Sequence, residues 1–461
     1  MRTVTFSTLY PNRVEPRHGI FIEQRLRHLL AAGEVESHVV APVPWFPWED
    51  SSFGHYGAFA RVPYYEERHG IPIYHPRYPR LPKVGLSSAP LMMATAVKPV
   101  LEGILERGFD FDLIDAHYIY PDGVAAVLLG QHFGKPVVVS VLGDDVIVYP
   151  RFLVPRRLLL WAVERAAGIT TVCEALKVRL VELGAPAEKV RVVLHGVDLD
   201  LFQPVERDAV RRRLGLAGTV LLSVGHATPR KGHHLAIEAL RDLPGFTLLI
   251  AGDGWYEPRL RELAASCGVA DRVRFLGHVD QEELKDYYSA ADALVLASSR
   301  EGIANVLLEA MACGTPVIAT AVWGTPEAIN VPEAGVLMTD RTALALAEAA
   351  RHLFAHYPDR AATRRHAAGF RWEQTSSDHM EVLRSAVAPG ATRSRAESSA
   401  AEALSSRLPG VRPWLPGSLR RAGALPGSLP GRGPTPYGST ETFRSGDRAT
   451  AGRCRGARRP A

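Results

Sequence analysis

Cysteine is scarce in this chain of 461 residues: Cys173, Cys267, Cys313 and Cys454 are scattered, with no short pairing and no histidine at metal-ligand spacing. Neither a disulfide framework nor a zinc site is expected from such a set. A long apolar opening run is lacking too. MRTVTFSTLYPNR reads as a short strand entering a loop, without the stretch a signal peptide or membrane span requires. The expected location is therefore the cytoplasm. Lysine is also rare, 7 residues in all, and none has the setting of a pyridoxal-binding lysine, so no cofactor is expected. One-sided charge is missing from most of the chain. The formal charge of +5 comes from residues 391–461, where 13 Arg face 4 acidic residues, a net +9 that leaves the first 390 residues at −4. A basic nucleic-acid surface is excluded from the folded part.

What is present is a twofold alternation of strand-like and helix-like segments. The runs at 4–10, 37–43, 112–118, 136–143 and 168–173 are short and β-rich, and so are those at 219–225, 246–252, 273–279, 293–299, 316–320 and 335–338. Short apolar strands alternating with helices mean parallel sheets covered on both faces, so each half is expected to be Rossmann-like. HGVDLDLFQP (195–204) reads as the connection between the halves, and 358–387 as terminal helices. From about residue 389 the composition turns to Ser, Arg, Gly, Pro and Ala, which cannot bury enough apolar surface to offset its ordering entropy; a disordered tail is expected there.

In open α/β sheets ligands bind beyond the carboxyl ends of the strands. Four strand ends in the second half carry residues suited to a phosphate-bearing ligand. SVGHATPRKGHH (223–234) places Arg230 and Lys231 in a loop before a helix, two cations for a diphosphate. AGDGWYEP (251–258) offers Gly252 and Gly254 but has Glu257 where a dinucleotide fingerprint needs a third glycine. FLGHV (275–279) offers His278 to a base. SSREGIANVLLEAMACGTPVIAT (298–320) runs through Glu301, Gly302, Ile303, Ala304, Asn305 and Val306 into a helix whose free N–H groups form an anion site.

That helix contains Glu309 in a segment apolar on every side, and a buried carboxylate must have something to accept its charge. A sugar nucleotide would supply it: diphosphate at the helix N-terminus, Glu301 on the sugar side, Glu309 on the ribose hydroxyls. Taken in isolation, Arg230 and Lys231 fit a surface charge pair better, and a structural histidine stays an alternative for His117.

Together and in this order, Glu301-x7-Glu309 with LLEAMACGTPVIAT, GHATPRKGHHLAIEAL and LLIAGDG resemble the donor-binding domain of the GT-B-fold retaining glycosyltransferases of family 4. PNRVEPRHGIF (11–21), DLIDAHYIYPDGVAA (112–126) and LGDD (142–145) resemble, more loosely, the acceptor domain of its capsule, exopolysaccharide and teichuronic-acid branch. The resemblance implies a GT-B fold with an acceptor-binding domain at 1–197, a donor-binding domain at 198–369, and a terminal helix at 370–388 packing back on the first domain. It implies Arg230 and Lys231 on the donor diphosphate, Glu309 on the ribose, Glu301 and His117 at the transferred sugar, the backbone from Gly302 to Val306 as a cradle, and Gly19 in a loop over the phosphates. Asp145 is expected in the acceptor cleft. His195, Leu142, Ile303 and Ala304 stand where the family often has Asn, His or Arg, Phe, and Gly or Pro.

The implied partners are a nucleotide-diphosphate sugar donor and a polysaccharide or lipid-linked saccharide acceptor, with no nucleic acid. LGDDV (142–146) is not the Asp-x-Asp of metal-dependent transferases, so no metal is expected. The helix at 86–108, with Arg77, Arg80, Lys83 and Lys98 about it, gives an expectation of peripheral contact with an anionic membrane. An idle sugar-nucleotide-binding subunit, or a GT-B isomerase or phosphorylase, are the competing expectations.

Overall fold

The computed structural model describes residues 1–80 and 85–388. Lys83, Cys454 and the segment expected to be disordered lie outside the described residues. The first half carries β1 (Arg2–Phe6), β2 (Glu36–Val40), β3 (Val43–Pro44), β4 (Tyr65–Arg68), β5 (Ile71–Tyr74), β6 (Arg77–Tyr78), β7 (Leu113–His117), β8 (Val137–Val141), β9 (Gly168–Thr171) and β10 (Val190–Val192). Eight of them form one sheet in the order β10-β9-β8-β7-β1-β2-β5-β4, parallel except at β4, while β3 and β6 pair separately. The second half carries β11 (Thr219–Val224), β12 (Phe246–Ala251), β13 (Val273–Gly277), β14 (Ala293–Leu296), β15 (Val317–Thr320) and β16 (Gly335–Met338). These form a wholly parallel sheet in the order β13-β12-β11-β14-β15-β16.

All the apolar runs picked out in the sequence hold one of these strands, because a strand covered on both faces has no polar alternation. β7 and β8 are buried at every residue. The strands that escaped notice are the ones that lack this cover. β4 is Tyr-Glu-Glu-Arg at the sheet edge, joined to β5 by His69 and Gly70, both at positive φ, as a tight two-residue hairpin turn requires.

Two parallel sheets with helices on both faces make the two-domain α/β fold expected. In each sheet the strand order reverses direction at one place, between β1 and β7 in the first and between β11 and β14 in the second. A ligand crevice opens at such a reversal. His117 ends β7, and the loops after β11 and β14 carry Arg230, Lys231 and Glu301.

The chain crosses between the domains at 195–204 and returns at 368–372, and the two passages are tied by the Val197 N–H donating to the Phe370 carbonyl at 2.9 Å. The last helix, Trp372–Val387, lies against β7, β8, β9 and the helix Ile20–Ala31 of the first domain. Among the described residues no helix is long and apolar enough to cross a membrane.

Candidate active site

After β11 the chain turns through Gly225 and a short 3-10 turn, Pro229–Lys231, into the helix His233–Ala239. Gly232, at φ 77, must be glycine: a Cβ there would stand 2.0 Å from the Ala297 carbonyl oxygen. Gly252 and Gly254 are also required by close approach of protein backbone. A Cβ on Gly252 would lie 2.0 Å from the Gly225 oxygen, and one on Gly254 2.6 Å from the Ala227 oxygen. They let the loop after β12 run beside the loop after β11, with Ala227 N–H donating to Asp253 O at 2.9 Å.

This buttressed loop presents both cations to one carboxylate. Lys231 Nζ lies 2.6 Å from Glu301 Oε1, and Arg230 Nη1 lies 3.1 Å from the same atom. Burial alone would raise the Glu301 carboxyl, but Lys231 and Arg230 outweigh it and hold the group below its ordinary value. Burial in turn lowers the Lys231 ammonium, with Glu301 opposing. Two cations against one carboxylate leave a net positive charge at the reversal point of the second sheet.

Gly302 follows, pressed against the other domain: a Cβ would meet the Leu142 oxygen at 2.5 Å and Val172 at 3.0 Å. Beside it Arg300 Nε donates to Asp144 Oδ1 at 2.7 Å, an ion pair between the two domains. Ile303 and Ala304 are buried, and Ala304 N-caps the helix Asn305–Ala312 without any side-chain hydrogen bond, so the first N–H groups at Asn305 and Val306 keep no side-chain partner there. Asn305 and Glu309 line one crevice together with Gln24 of the first domain and with Asp198, Phe202 and Trp372 at the crossings.

Glu309 itself is 6% exposed, and its partner is a protein group: the Tyr288 hydroxyl donates to Oε2 at 2.7 Å. Burial raises the carboxyl to about 7, while hydrogen bonds from Tyr288 and Gln281 pull it down. Gln281 also accepts at 2.8 Å from Gln24, which links Glu309 to the first domain. His278 lies three residues before Gln281. It follows the edge strand β13, with Nε2 2.8 Å from Asp280 Oδ1.

In the first domain Gly19 caps the helix Ile20–Ala31 at φ 69, with so little room that a Cβ would be 2.2 Å from the Leu9 oxygen. His117 is 2% exposed; its Nε2 is 3.5 Å from Asp115 Oδ2, and its Nδ1 is buried without a partner. Asp145 is a correction. It is fully buried, not in a cleft, and accepts from the N–H groups of Ile119 (2.9 Å) and Gly143 (2.7 Å) and from that of Leu142. A carboxylate with three backbone donors is spent on holding two loops together.

The helix Gly85–Glu106 divides its apolar residues between core and surface. Met93, Val97, Val100, Leu101 and Ile104 are in the core, so the apolar side covers the sheet. Arg77 donates to the carbonyls of Phe59, Ala60 and Val62, and Lys98 pairs with Glu102. Leu91 stays 56% exposed on the outer side of the helix.

Sequence reasoning missed Asp115, His379 and Arg25. Asp115 was within reach, since residues i and i+2 of a strand share a face and Asp115 precedes His117 by two. His379 had no local signal, because its contact with β7 spans 264 positions. Tyr288 was equally hidden, 21 positions before Glu309 on another helix.

Both halves of the chain match known glycosyltransferases. Residues 206–369 match the family described as "Glycosyl transferases group 1", and residues 21–201 match "Glycosyltransferase Family 4". The D-inositol 3-phosphate glycosyltransferase of Geodermatophilus obscurus is 40% identical over 260 residues, which span 52% of this chain and only 56% of that protein. The putative teichuronic acid biosynthesis glycosyltransferase TuaC of Bacillus subtilis is 31% identical over 363 residues, 76% of this chain and 88% of its own length. Among solved structures, Anabaena Alr3699/HepE in complex with UDP superposes with a TM-score of 0.65 at 21% identity, covering 84% of this chain and 100% of that one. At that identity the likeness shows the GT-B fold.

Proposed function

The chain belongs to the glycosyltransferases of family 4, and on that premise we propose that it moves a hexosyl group from a nucleotide-diphosphate sugar to a hydroxyl of a polysaccharide or lipid-linked saccharide in cell-envelope glycan synthesis. The observation that carries this reading is the convergence of Arg230 and Lys231 on Glu301 at the reversal point of the second sheet, next to an uncapped helix N-terminus. Two cations and free N–H groups suit a diphosphate, whose charge grows as the sugar leaves, and stabilising that charge is usually the largest catalytic contribution. HepE has been seen with UDP and with UDP-glucose, which supports a uridine nucleotide as the first donor to try.

The division of labour follows the two sheets. Residues 198–369 hold the donor, with Glu309 on the ribose and Glu301 on the sugar. Residues 1–197, with 370–388 packed on them, hold the acceptor, and His117 orients the transferred sugar. Transfer is retaining and needs no metal ion: the C1–O bond to the diphosphate breaks, the acceptor oxygen bonds C1 on the same face, and its proton passes to the departing phosphate oxygen. Domain closure keeps out water that would hydrolyse the donor.

The enzyme works in the cytoplasm and touches the inner membrane face. Phe152, Leu153 and Val154 support this contact: 43%, 64% and 45% exposed, they follow Arg151 and precede Arg156 and Arg157, an apolar step flanked by cations. The 40% identical relative favours a second acceptor reading, a phosphorylated cyclitol.

A thermal-shift panel of UDP, GDP, ADP and their sugars tests the donor. A ligand at a hundredfold its Kd adds about 2.7 kcal/mol, so one nucleotide series is expected to raise Tm by several degrees, and no shift from any of them means the donor assignment is wrong.

A further inference from the structure

Behind His117 lies a buried chain of charged and polar side chains that the donor contacts themselves do not use. Arg25 Nη2 donates to His379 Nδ1 at 3.1 Å, and His379 Nε2 is 2.9 Å from Asp115 Oδ2. That same oxygen is 3.5 Å from His117 Nε2. Arg25, His379, Asp115 and His117 are 3%, 1%, 2% and 2% exposed, and they come from one helix of the first domain, the returning C-terminal helix and two positions of β7.

Buried charges persist when they are compensated, and here the compensation fixes the protons. Arg25 keeps its charge, since burial lowers its pKa only to about 10. Burial lowers His379 below the ordinary histidine range and leaves the ring neutral. Its Nδ1 accepts from Arg25, so its single proton is on Nε2 and is donated to Asp115. Burial by itself would raise the Asp115 carboxyl, but His379 and His117 outweigh that and keep it ionised. One cation and one anion then balance across Arg25, His379 and Asp115. A ring facing a carboxylate through Nε2 carries a proton there, and where no acceptor meets the other nitrogen that atom is left a bare lone pair. His117 Nδ1 is that atom, buried and without a partner. His195 is the other histidine close to His117 and Arg25, and burial pushes it down to about 3, so it brings no competing proton.

We propose that Asp115, His379 and Arg25 are positioning residues that hold His117 as its Nε2–H tautomer, so that Nδ1 can accept a hydrogen bond from a donor-sugar hydroxyl. The hydroxyl step depends on the reading of His117 as a donor-sugar residue; the tautomer does not. It makes the C-terminal helix part of the catalytic apparatus through His379.

The test uses the full chain labelled with 15N-histidine, in long-range 1H–15N spectra, with the His117 ring assigned by its loss in His117→Ala. In the free protein at pH 7.5 the expected pattern is a protonated, upfield Nε2 and an unprotonated, downfield Nδ1. Asp115→Ala, which removes the acceptor facing Nε2, should lose the fixed pattern, and should lower kcat at least tenfold while the KM for nucleotide sugar stays within about threefold. His379→Gln, which still donates to Asp115, should keep the wild-type pattern, and His379→Leu should lose it. A wild-type ring protonated on Nδ1 overturns the proposal without any variant having to fold, and an unchanged tautomer in folded Asp115→Ala overturns it too. If the tautomer behaves as stated but UDP-glucose moves the Nδ1 signal no more than UDP does, the hydroxyl contact is wrong and the positioning of the ring stands.

Discussion

Glu309 and Tyr288 are joined by a hydrogen bond of 2.7 Å in which the phenol donates to a carboxyl that burial has raised to about 7. The carboxylate inside an apolar helix is therefore held by a neutral donor rather than by a cation, and near neutral pH it stands midway between its protonation states. A ribose would add hydroxyl donors on the crevice side and favour the ionised form.

Glu309→Gln separates the two roles of this group. As pH rises from about 4.5, the unfolded chain releases the Glu309 proton before the folded one does, so its burial costs stability progressively up to pH 7, by at most about 3 kcal/mol. Glutamine carries no such cost. The variant is expected to gain Tm relative to the parent between pH 5 and pH 7.5 and to lose more than tenfold in donor turnover. A Tm difference that is the same at both pH values removes the titration from Glu309.

The ion pairs of Glu301 lead to opposite effects within one site. Glu301 occupies the cations that a diphosphate needs, so Glu301→Gln should bind nucleoside diphosphate severalfold more tightly while turning over poorly, because the sugar loses its carboxylate. Arg230→Ala and Lys231→Ala should each weaken the same ligand by more than tenfold, since a hydrogen bond to a charged group is worth about 1.5–3 kcal/mol. Calorimetry with UDP decides the sign; weaker binding to Glu301→Gln means that Glu301 organises the cations rather than competing for them.

How far the sequence spoke depended on distance along the chain. The apolar strands were legible because parallel sheets bury them on both faces, and Glu301, Gly302 and Glu309 were legible because they share one loop and helix. Gly252 and Gly254 were visible as tight positions, but what crowds them is the loop at 225–227, which only the fold brings there. Asp145 looked like a cleft residue because it follows a strand end, and its three backbone donors, at 119, 142 and 143, depend on the path of a loop the sequence does not reveal. His379 and Tyr288 meet their partners through tertiary packing alone.

Asp144 and Arg300 make an ion pair across the cleft at 2.7 Å, with side chains 40% and 20% exposed. At such exposure the pair is worth at most about 1 kcal/mol, enough to shift an open and closed equilibrium about fivefold. Arg300→Ala and Asp144→Ala should each raise the radius of gyration in small-angle scattering and its dependence on UDP. Exchanging the charges, Asp144→Arg with Arg300→Asp, should restore the parent profile; identical scattering from all four proteins would show that the pair does not bear on closure.

The stereochemistry of transfer follows from which group can take the acceptor's proton. Inversion would require a protein base opposite the leaving group, within hydrogen-bond reach of the incoming hydroxyl. The buried carboxyls of the first domain are poorly placed for that: Asp122 and Asp145 hold backbone N–H groups, Glu23 is paired with Arg68, and Asp115 is engaged by two histidines. On the donor side Arg230, Lys231 and the N–H groups at Asn305 suit a diphosphate whose departing oxygen becomes basic as the bond to C1 lengthens. That oxygen lies on the face the sugar leaves, so an acceptor that gives its proton there bonds on the same face. An α-linked donor is therefore expected to give an α-linked product. Because the charge is met by side chains and backbone, turnover should survive EDTA. Proton NMR of the anomeric signal, followed with and without chelator, checks both: a β-linked product, or activity that disappears with EDTA and returns with magnesium, would rule this mechanism out.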